Sequence, residues 1–459
     1  MPARRLLLAL LIFAVPATVW TDTASELAWL AQIKPDADRL LKAATADDFA
    51  WRRLAEMTDT FGHRLTGSEN LQRAMKWVTA KMTADGLEDV RTEPVMVPQW
   101  IRGRESAEIV DPPRHSIEIL GLGGSVPTPP GGIEAEVLPV ASFDELRTRQ
   151  AEARGRIVLF DAQYTNYTET VTYRTSGART AALYGAVAVL VRSVGPTGLR
   201  TTHTGSVTYS PDQRPIPAAA ISAEDASRIV RLAAAGRKVR MRLEMSSESR
   251  PDVESANVVA EIRGRQNPDE IVLIGAHLDS WDVGTGASDD AAGCIVTWEA
   301  MRLMKALGIR PRRTVRVVLW ENEEHGLRGA NAYAERYRLQ ASKHVFALEA
   351  DSGVFAPSML GFTGSEAARQ VMLKVATLLT PIGMHEMVQG GGGPDIGPIA
   401  LAGNVPTMAY LGDPARLFLI HHTAADTIER ITPVEVSKAA AAIAVVAYAV
   451  AEMPERLPK

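Results

Sequence analysis

Residues 271–290, IVLIGAHLDSWDVGTGASDD, constrain the fold of this chain more than any other stretch. The run Ile271-Val272-Leu273-Ile274 has no polar alternation, which suits a strand buried on both faces, the kind found where helices cover both sides of a parallel sheet. Such a strand delivers His277 to its C-terminal end, the edge of an open α/β sheet where ligands sit. A turn through Gly284-Thr285-Gly286 then carries the chain to Asp289 and Asp290. His277 and Asp289 are read as the first two ligands of a two-metal site.

The rest of the C-terminal half fits that sheet. Residues 257–262, 271–276, 314–320 and 345–348 read as strands, with a helix over 291–307, and strands alternating with helices imply crossover connections and a mainly parallel sheet. Two acidic clusters follow the strands, Glu321-Asn322-Glu323-Glu324-His325 and Glu349-Ala350-Asp351, so both fall on the edge that carries His277. His421 and His422 come in a loop before the last helix. A single acidic loop is usually only solvated. Three acidic groups and two histidines at successive points of one α/β unit form a constellation.

Other features bound the organisation. Residues 127–248 open with the breaker Pro127-Thr128-Pro129-Pro130-Gly131-Gly132 and have their own strands and helix. They contain His203 as their only histidine and no ligand cluster, so this block is expected to be an inserted module that shapes access or assembly and does no chemistry. It divides a larger domain into 21–126 and 249–459. Residues 1–20, with Arg4-Arg5, an apolar run and small residues near Ala17, read as a signal peptide, which implies a secreted or periplasmic protein. The apolar stretch 439–451 follows Thr432-Pro433-Val434-Glu435, an N-cap, a first-turn proline and a capping-box glutamate, and is expected to be a buried helix; no membrane span is expected after signal cleavage. The single cysteine, Cys294, permits no intrachain disulfide and reads as an inert buried thiol. Fifty Lys and Arg against 54 Asp and Glu, with no long basic run, argue against a nucleic-acid partner. His63, alone in a turn-rich connector, reads as solvated.

The segments HLD (277–279), DDAAG (289–293), EEHGLRGA (323–330), Asp351 and HHTAADT (421–427), with FGHRLTGSENL (61–71), resemble the co-catalytic di-zinc aminopeptidase and carboxypeptidase Q-like metallopeptidase family. The inserted block resembles a protease-associated domain, and the likeness spans nearly the whole chain beyond residue 20. The resemblance implies a zinc exopeptidase fold binding two Zn²⁺, with Asp289 bridging, His277 and Asp351 completing one site, and Glu324 and His422 the other. It makes Glu323 the general base and Asp279 the residue that orients His277, and it implies a cis Asp289–Asp290 peptide, a peptide substrate and a homodimer. Two Zn²⁺ against three carboxylates and a bridging hydroxide would be neutral, although nitrogen and carboxylate ligands also admit cobalt or manganese.

In the same family pattern the spacing to Asp426-Thr427 selects His422 over His421 as ligand. His421, His325 and Asp395 are then expected to border the substrate, and Asp351, Glu349 and Asp395 are candidates for binding a charged terminus. The chain departs from the family where simpler members carry Ser-Asp-His and a nearby tyrosine: here Pro394-Asp395-Ile396 follows a glycine run. Stabilising charge on the reacting carbonyl is therefore expected to fall to the metals or to backbone N–H groups. Two other readings share these motifs, acyl transfer of the glutaminyl cyclase type at a single zinc and a receptor-like relative without catalysis.

Overall fold

Four strands make the parallel centre of an eight-stranded sheet: Arg313–Trp320, Asn267–His277, His344–Glu349 and Thr407–Leu411, in that spatial order. The structure, a computed structural model, describes residues 23–459, so the signal-peptide expectation at 1–20 lies outside the described residues. Glu248–Ile262 and Glu88–Ile101 extend one side of the sheet antiparallel; Met359–Thr363 and Met387–Gln389 extend the other. The mainly parallel expectation therefore holds at the centre, and the antiparallel pairings flank it.

Alternation along the central strands explains the layers, because successive side chains point to opposite faces. Val272, Ile274 and Ala276 join Val315, Val317 and Leu319 in the larger core, beneath the helices Ala292–Ala306 and Pro433–Glu452. Ile271 and Leu273 join Val318 and Trp320 in a second core under Arg328–Arg336 and Gly397–Gly403. Both faces are covered, which is why the run 271–274 carries no polar residue. The last helix is started as its sequence indicates: Thr432 Oγ1 accepts from Glu435 N, the Glu435 carboxylate accepts from Thr432 N, and Pro433 occupies the first turn. Its 439–451 stretch is buried in the larger core.

A second eight-stranded sheet belongs to the inserted module, with its own apolar clusters on both faces. Glu105–Asp111, His115–Ile117 and Ile119–Gly121 hydrogen-bond in this sheet although they precede the composition change at Pro127. A breaker-rich stretch marks a turn, whereas strand pairing, which is not local in sequence, brings these three strands into the sheet.

Register sets the site. His277 pairs with Trp320, and Gly275 with Glu349, so three central strands end at one edge, the third two residues short of the others. Glu323 and Glu324 lie just beyond Trp320, and Asp351 just beyond Glu349.

Candidate metal centre and active site

Five side chains converge at that edge. His277 Nε2 lies 3.1 Å from Asp289 Oδ1 and 3.3 Å from Asp351 Oδ1. On the opposite side His422 Nε2 lies 3.1 Å from Asp289 Oδ2 and 3.0 Å from Glu324 Oε2. The Asp289 carboxylate thus presents one oxygen to each histidine–carboxylate pair. The Asp289–Asp290 peptide is cis, as the resemblance implies.

The electrostatics show what this set lacks. Burial alone would strip a proton from His277, yet Asp351 and Asp289 outweigh it and raise its pKa well above the ordinary value. His422 behaves alike: burial opposes, but Glu324 and Asp289 lift it to about 9. Burial raises Glu323, Glu324 and Asp351 above the normal carboxylate range. Asp289 goes the other way, because burial is outweighed by His421, His277 and His422. Asp289 Oδ2 and Glu324 Oε1 are buried without a hydrogen-bond partner. A buried surplus of acceptors with orphaned oxygens calls for cations, and imidazole with carboxylate is a donor set that suits Zn²⁺.

The supporting residues hold this geometry through the backbone. Asp426 accepts from Ser288 N at 2.7 Å and Asp289 N at 3.1 Å, fixing the turn that carries Asp289. Arg64, fully buried, donates to the carbonyls of Leu278, Thr285 and Gly286, so the 61–71 segment braces the loop on the approach to Asp289. Trp281 Nε1 donates to Glu324 Oε2 at 2.6 Å. Cys294 is buried and its Sγ points at the His277 carbonyl, 3.0 Å away, with burial pushing the thiol pKa well up.

Asp279 meets His277 through its main chain. Its backbone carbonyl lies 2.9 Å from His277 Nδ1, whereas its carboxylate is 3.7 Å away. The carboxylate instead accepts from Glu323 N at 3.1 Å and Glu324 N at 3.3 Å. The main chain therefore leaves Nε2 of His277 free for a ligand, and the carboxylate positions the turn bearing Glu323 and Glu324.

A cavity of about 380 Å³ opens over Asp289, Glu324, Asp351 and His422, and Glu323, His421, Ser352 and Pro394 also line it. His421 stacks on His422 with ring centroids 3.6 Å apart, and its Nε2 lies 3.4 Å from Asp289 Oδ2. The expected substrate neighbours His325 and Asp395 are not on this wall. His325 packs against Trp281 at 4.4 Å, and burial lowers its pKa to about 4. Asp395 is fully buried, with neither carboxylate oxygen hydrogen-bonded. Glu349 is occupied too, accepting from the backbone N–H groups of Asp395 and Ile396. His325 and Asp395 share a reason: each follows a residue on the cavity wall, Glu324 and Pro394, and the next side chain in a tight turn faces away.

The larger departure is the inserted module, because Tyr167, Arg174 and Ser206 line the same cavity. Thr204 brackets His422: its N–H donates to the His422 carbonyl at 3.0 Å, and its carbonyl lies 3.2 Å from His422 Nδ1. His422 has φ near +60°, uncommon for a residue with a side chain, and this two-point clasp holds it there. Arg174 donates to the Thr204 carbonyl at 3.0 Å and to Tyr167 Oη at 2.7 Å. Ser206 Oγ donates to the Glu324 carbonyl. The module thus lines the cavity and also touches two of the five clustered residues. One signal was present: Tyr167 and Arg174 stand seven apart on the helix Tyr167–Leu183, hence on one face. Nothing local says what that face meets.

The chain is similar to known peptidases along most of its length. Residues 257–447 match peptidase family M28, and residues 129–229 match the PA domain. Carboxypeptidase Q of Mus musculus is 47% identical over 410 residues, 89% of this chain and 87% of that one. A crystal structure of a peptidase M28 precursor from Shewanella amazonensis superposes with a TM-score of 0.89 at 34% identity, covering 94% of this chain and 99% of the other. An aminopeptidase from Aneurinibacillus sp. strain AM-1 shares the fold, with a TM-score of 0.67 at 19% identity over 92% of this chain and 97% of that chain. The buried histidine–carboxylate cluster and the likeness along nearly all of the chain lead to one conclusion: this protein belongs to peptidase family M28, carries an inserted PA domain, and is a metallo-exopeptidase of the carboxypeptidase Q-like type.

Proposed function

We propose that the protein hydrolyses dipeptides or short peptides with a free N-terminus, using two zinc ions that share Asp289. His277 and Asp351 would hold one ion, and Glu324 and His422 the other. The observation that carries this reading is the Asp289 carboxylate, whose two oxygens face two different histidines at 3.1 Å each. When bound, such a pair lowers the pKa of a water and polarises the scissile carbonyl. Glu323, on the cavity wall beside Asp351 and Glu324, takes the proton of that water and returns it to the leaving amine. Its peptide N–H is tied to Asp279, which fixes where the carboxyl can reach.

Short substrates fit a cavity of this size with the inserted module on one flank. With Glu349 bonded to backbone and Asp395 off the wall, Asp351 is the remaining candidate for a protonated amine. A two-sided ligand set favours two ions over single-zinc acyl transfer, and a complete one favours an enzyme over a receptor-like relative. The reading also includes export, a homodimer, and a module running from Glu105 to Met245, as its sheet pairing supports.

The test is metal content together with substrate range. Chelated protein regains dipeptide hydrolysis on adding zinc, at about two ions per chain, and N-acetylated dipeptides are spared. Indifference to chelation, or full activity at one ion per chain, would overturn the reading.

A further inference from the structure

The wall of the cavity is rich in acceptors, since Asp289, Glu323, Glu324 and Asp351 all face it. A peptide under attack gains negative charge on its carbonyl oxygen and needs a donor there. Several of the other hydroxyl and N–H groups on the wall are engaged or buried. Ser206 gives its proton to the Glu324 carbonyl, and Ser288 Oγ is sealed from solvent. His421 turns Nε2 to Asp289, and its Nδ1 is buried. Arg174 turns Nη1 to the Thr204 carbonyl and His422 Nδ1 and Nη2 to Tyr167, and its Nε is buried.

Tyr167 differs. Its oxygen accepts from Arg174 at 2.7 Å, so its own O–H is left to donate. The ring is clamped, stacked on Phe418 at 5.0 Å and edge-on to His421 at 5.1 Å. A donor fixed before the reaction costs no reorganisation when charge develops.

We propose that Tyr167 of the inserted module, held by Arg174, donates a hydrogen bond to the carbonyl oxygen of the peptide bond being cleaved. The water oxygen adds to the carbonyl carbon and the π pair moves onto the carbonyl oxygen, where the Tyr167 O–H meets it. The phenol keeps its proton. The C–N bond then breaks as that pair returns, and the amine leaves with the proton collected by Glu323. This inference rests on the hydrolase reading above. Tyr167 is the catalytic residue in it and Arg174 a positioning residue.

The experiment compares wild-type zinc enzyme with Tyr167→Phe, Arg174→Gln and the double variant. If wild type hydrolyses no dipeptide, the hydrolase reading itself has failed; the variants bear on Tyr167 once wild type turns over. Tyr167→Phe keeps its zinc by elemental analysis and its KM within about threefold, while kcat falls on the order of 100-fold, the usual cost of one such donor. Affinity for a dipeptide phosphinate, which mimics the tetrahedral carbon, falls in parallel. A kcat within threefold of wild type, a raised KM with kcat preserved, or loss of zinc would each overturn the assignment to Tyr167. Arg174→Gln lowers kcat, and adding Tyr167→Phe to it costs less than a further threefold; additive losses would overturn the positioning role.

Discussion

Replacing Glu323 by Gln isolates proton transfer from everything else the site does. The two side chains have the same shape, and no hydrogen bond to the Glu323 carboxyl is seen among the described residues, so the swap breaks no contact of its own. The tie that places this residue, Glu323 N to the Asp279 carboxylate, is main chain and survives. What disappears is a proton acceptor. General-base catalysis contributes roughly 10²–10⁴ in rate, so kcat on a good dipeptide is expected to fall by that factor, about 2.7–5.4 kcal/mol of barrier at about 1.36 kcal/mol per decade. KM and zinc content stay near wild type. The metal-free protein adds a second readout. Burial holds the Glu323 carboxyl above its ordinary pKa, with Asp351 and Glu324 adding to the shift and His277 opposing it. A raised folded pKa means that the unfolded chain releases its proton first, so this group costs stability as pH rises above the normal carboxylate range. Metal-free Glu323→Gln should therefore melt higher than metal-free wild type at pH 7, and not at pH 4. Retained turnover within tenfold of wild type, with zinc in place, would refute the base assignment. Loss of zinc along with activity would make Glu323 a ligand instead.

Two further predictions test the frame. Arg64→Met leaves three buried carbonyls, of Leu278, Thr285 and Gly286, without their charged donor; stability should drop by about 3 kcal/mol and zinc binding should weaken, read by urea midpoint and metal titration, and a loss below about 1 kcal/mol would contradict the bracing role. His344, at the opposite end of its strand from Glu349, has its Nε2 2.9 Å from Tyr333 Oη, and burial, aided by Arg316, lowers its pKa to about 4. Because the folded state binds this proton less readily than the unfolded chain, stability falls as pH drops from about 6.5 towards 4, by about 1.4 kcal/mol per unit. Denaturant unfolding should show this slope in wild type, reduced by that amount in His344→Gln; equal slopes would refute it.

How much could be read without coordinates is clearest residue by residue. The strand over 271–276, the helix after Asp290 and the acidic turns after Trp320 and Glu349 follow from local pattern, since an uninterrupted apolar run has one stable environment and chirality puts its C-terminal end at the ligand edge. The capping box at Thr432–Glu435 is equally local. Which way Asp279, His325 and Asp395 turn is not, because adjacent side chains in a turn diverge and packing decides between them. Which sheet Glu105–Asp111 and Ile119–Gly121 join is a matter of pairing with strands about a hundred or more residues away.

The sequence by itself determined the α/β sheet, the edge on which chemistry sits and the residue types able to hold cations there, because hydrophobic period and strand polarity act over a few residues. Only the tertiary structure decided that the inserted module enters the site. Tyr167, Arg174, Thr204 and Ser206 lie in an unremarkable helix and loop, and their meaning comes from His422 and Glu324, 118 or more positions along the chain. Contacts of that range are fixed by how two packed bodies meet, which no local pattern encodes.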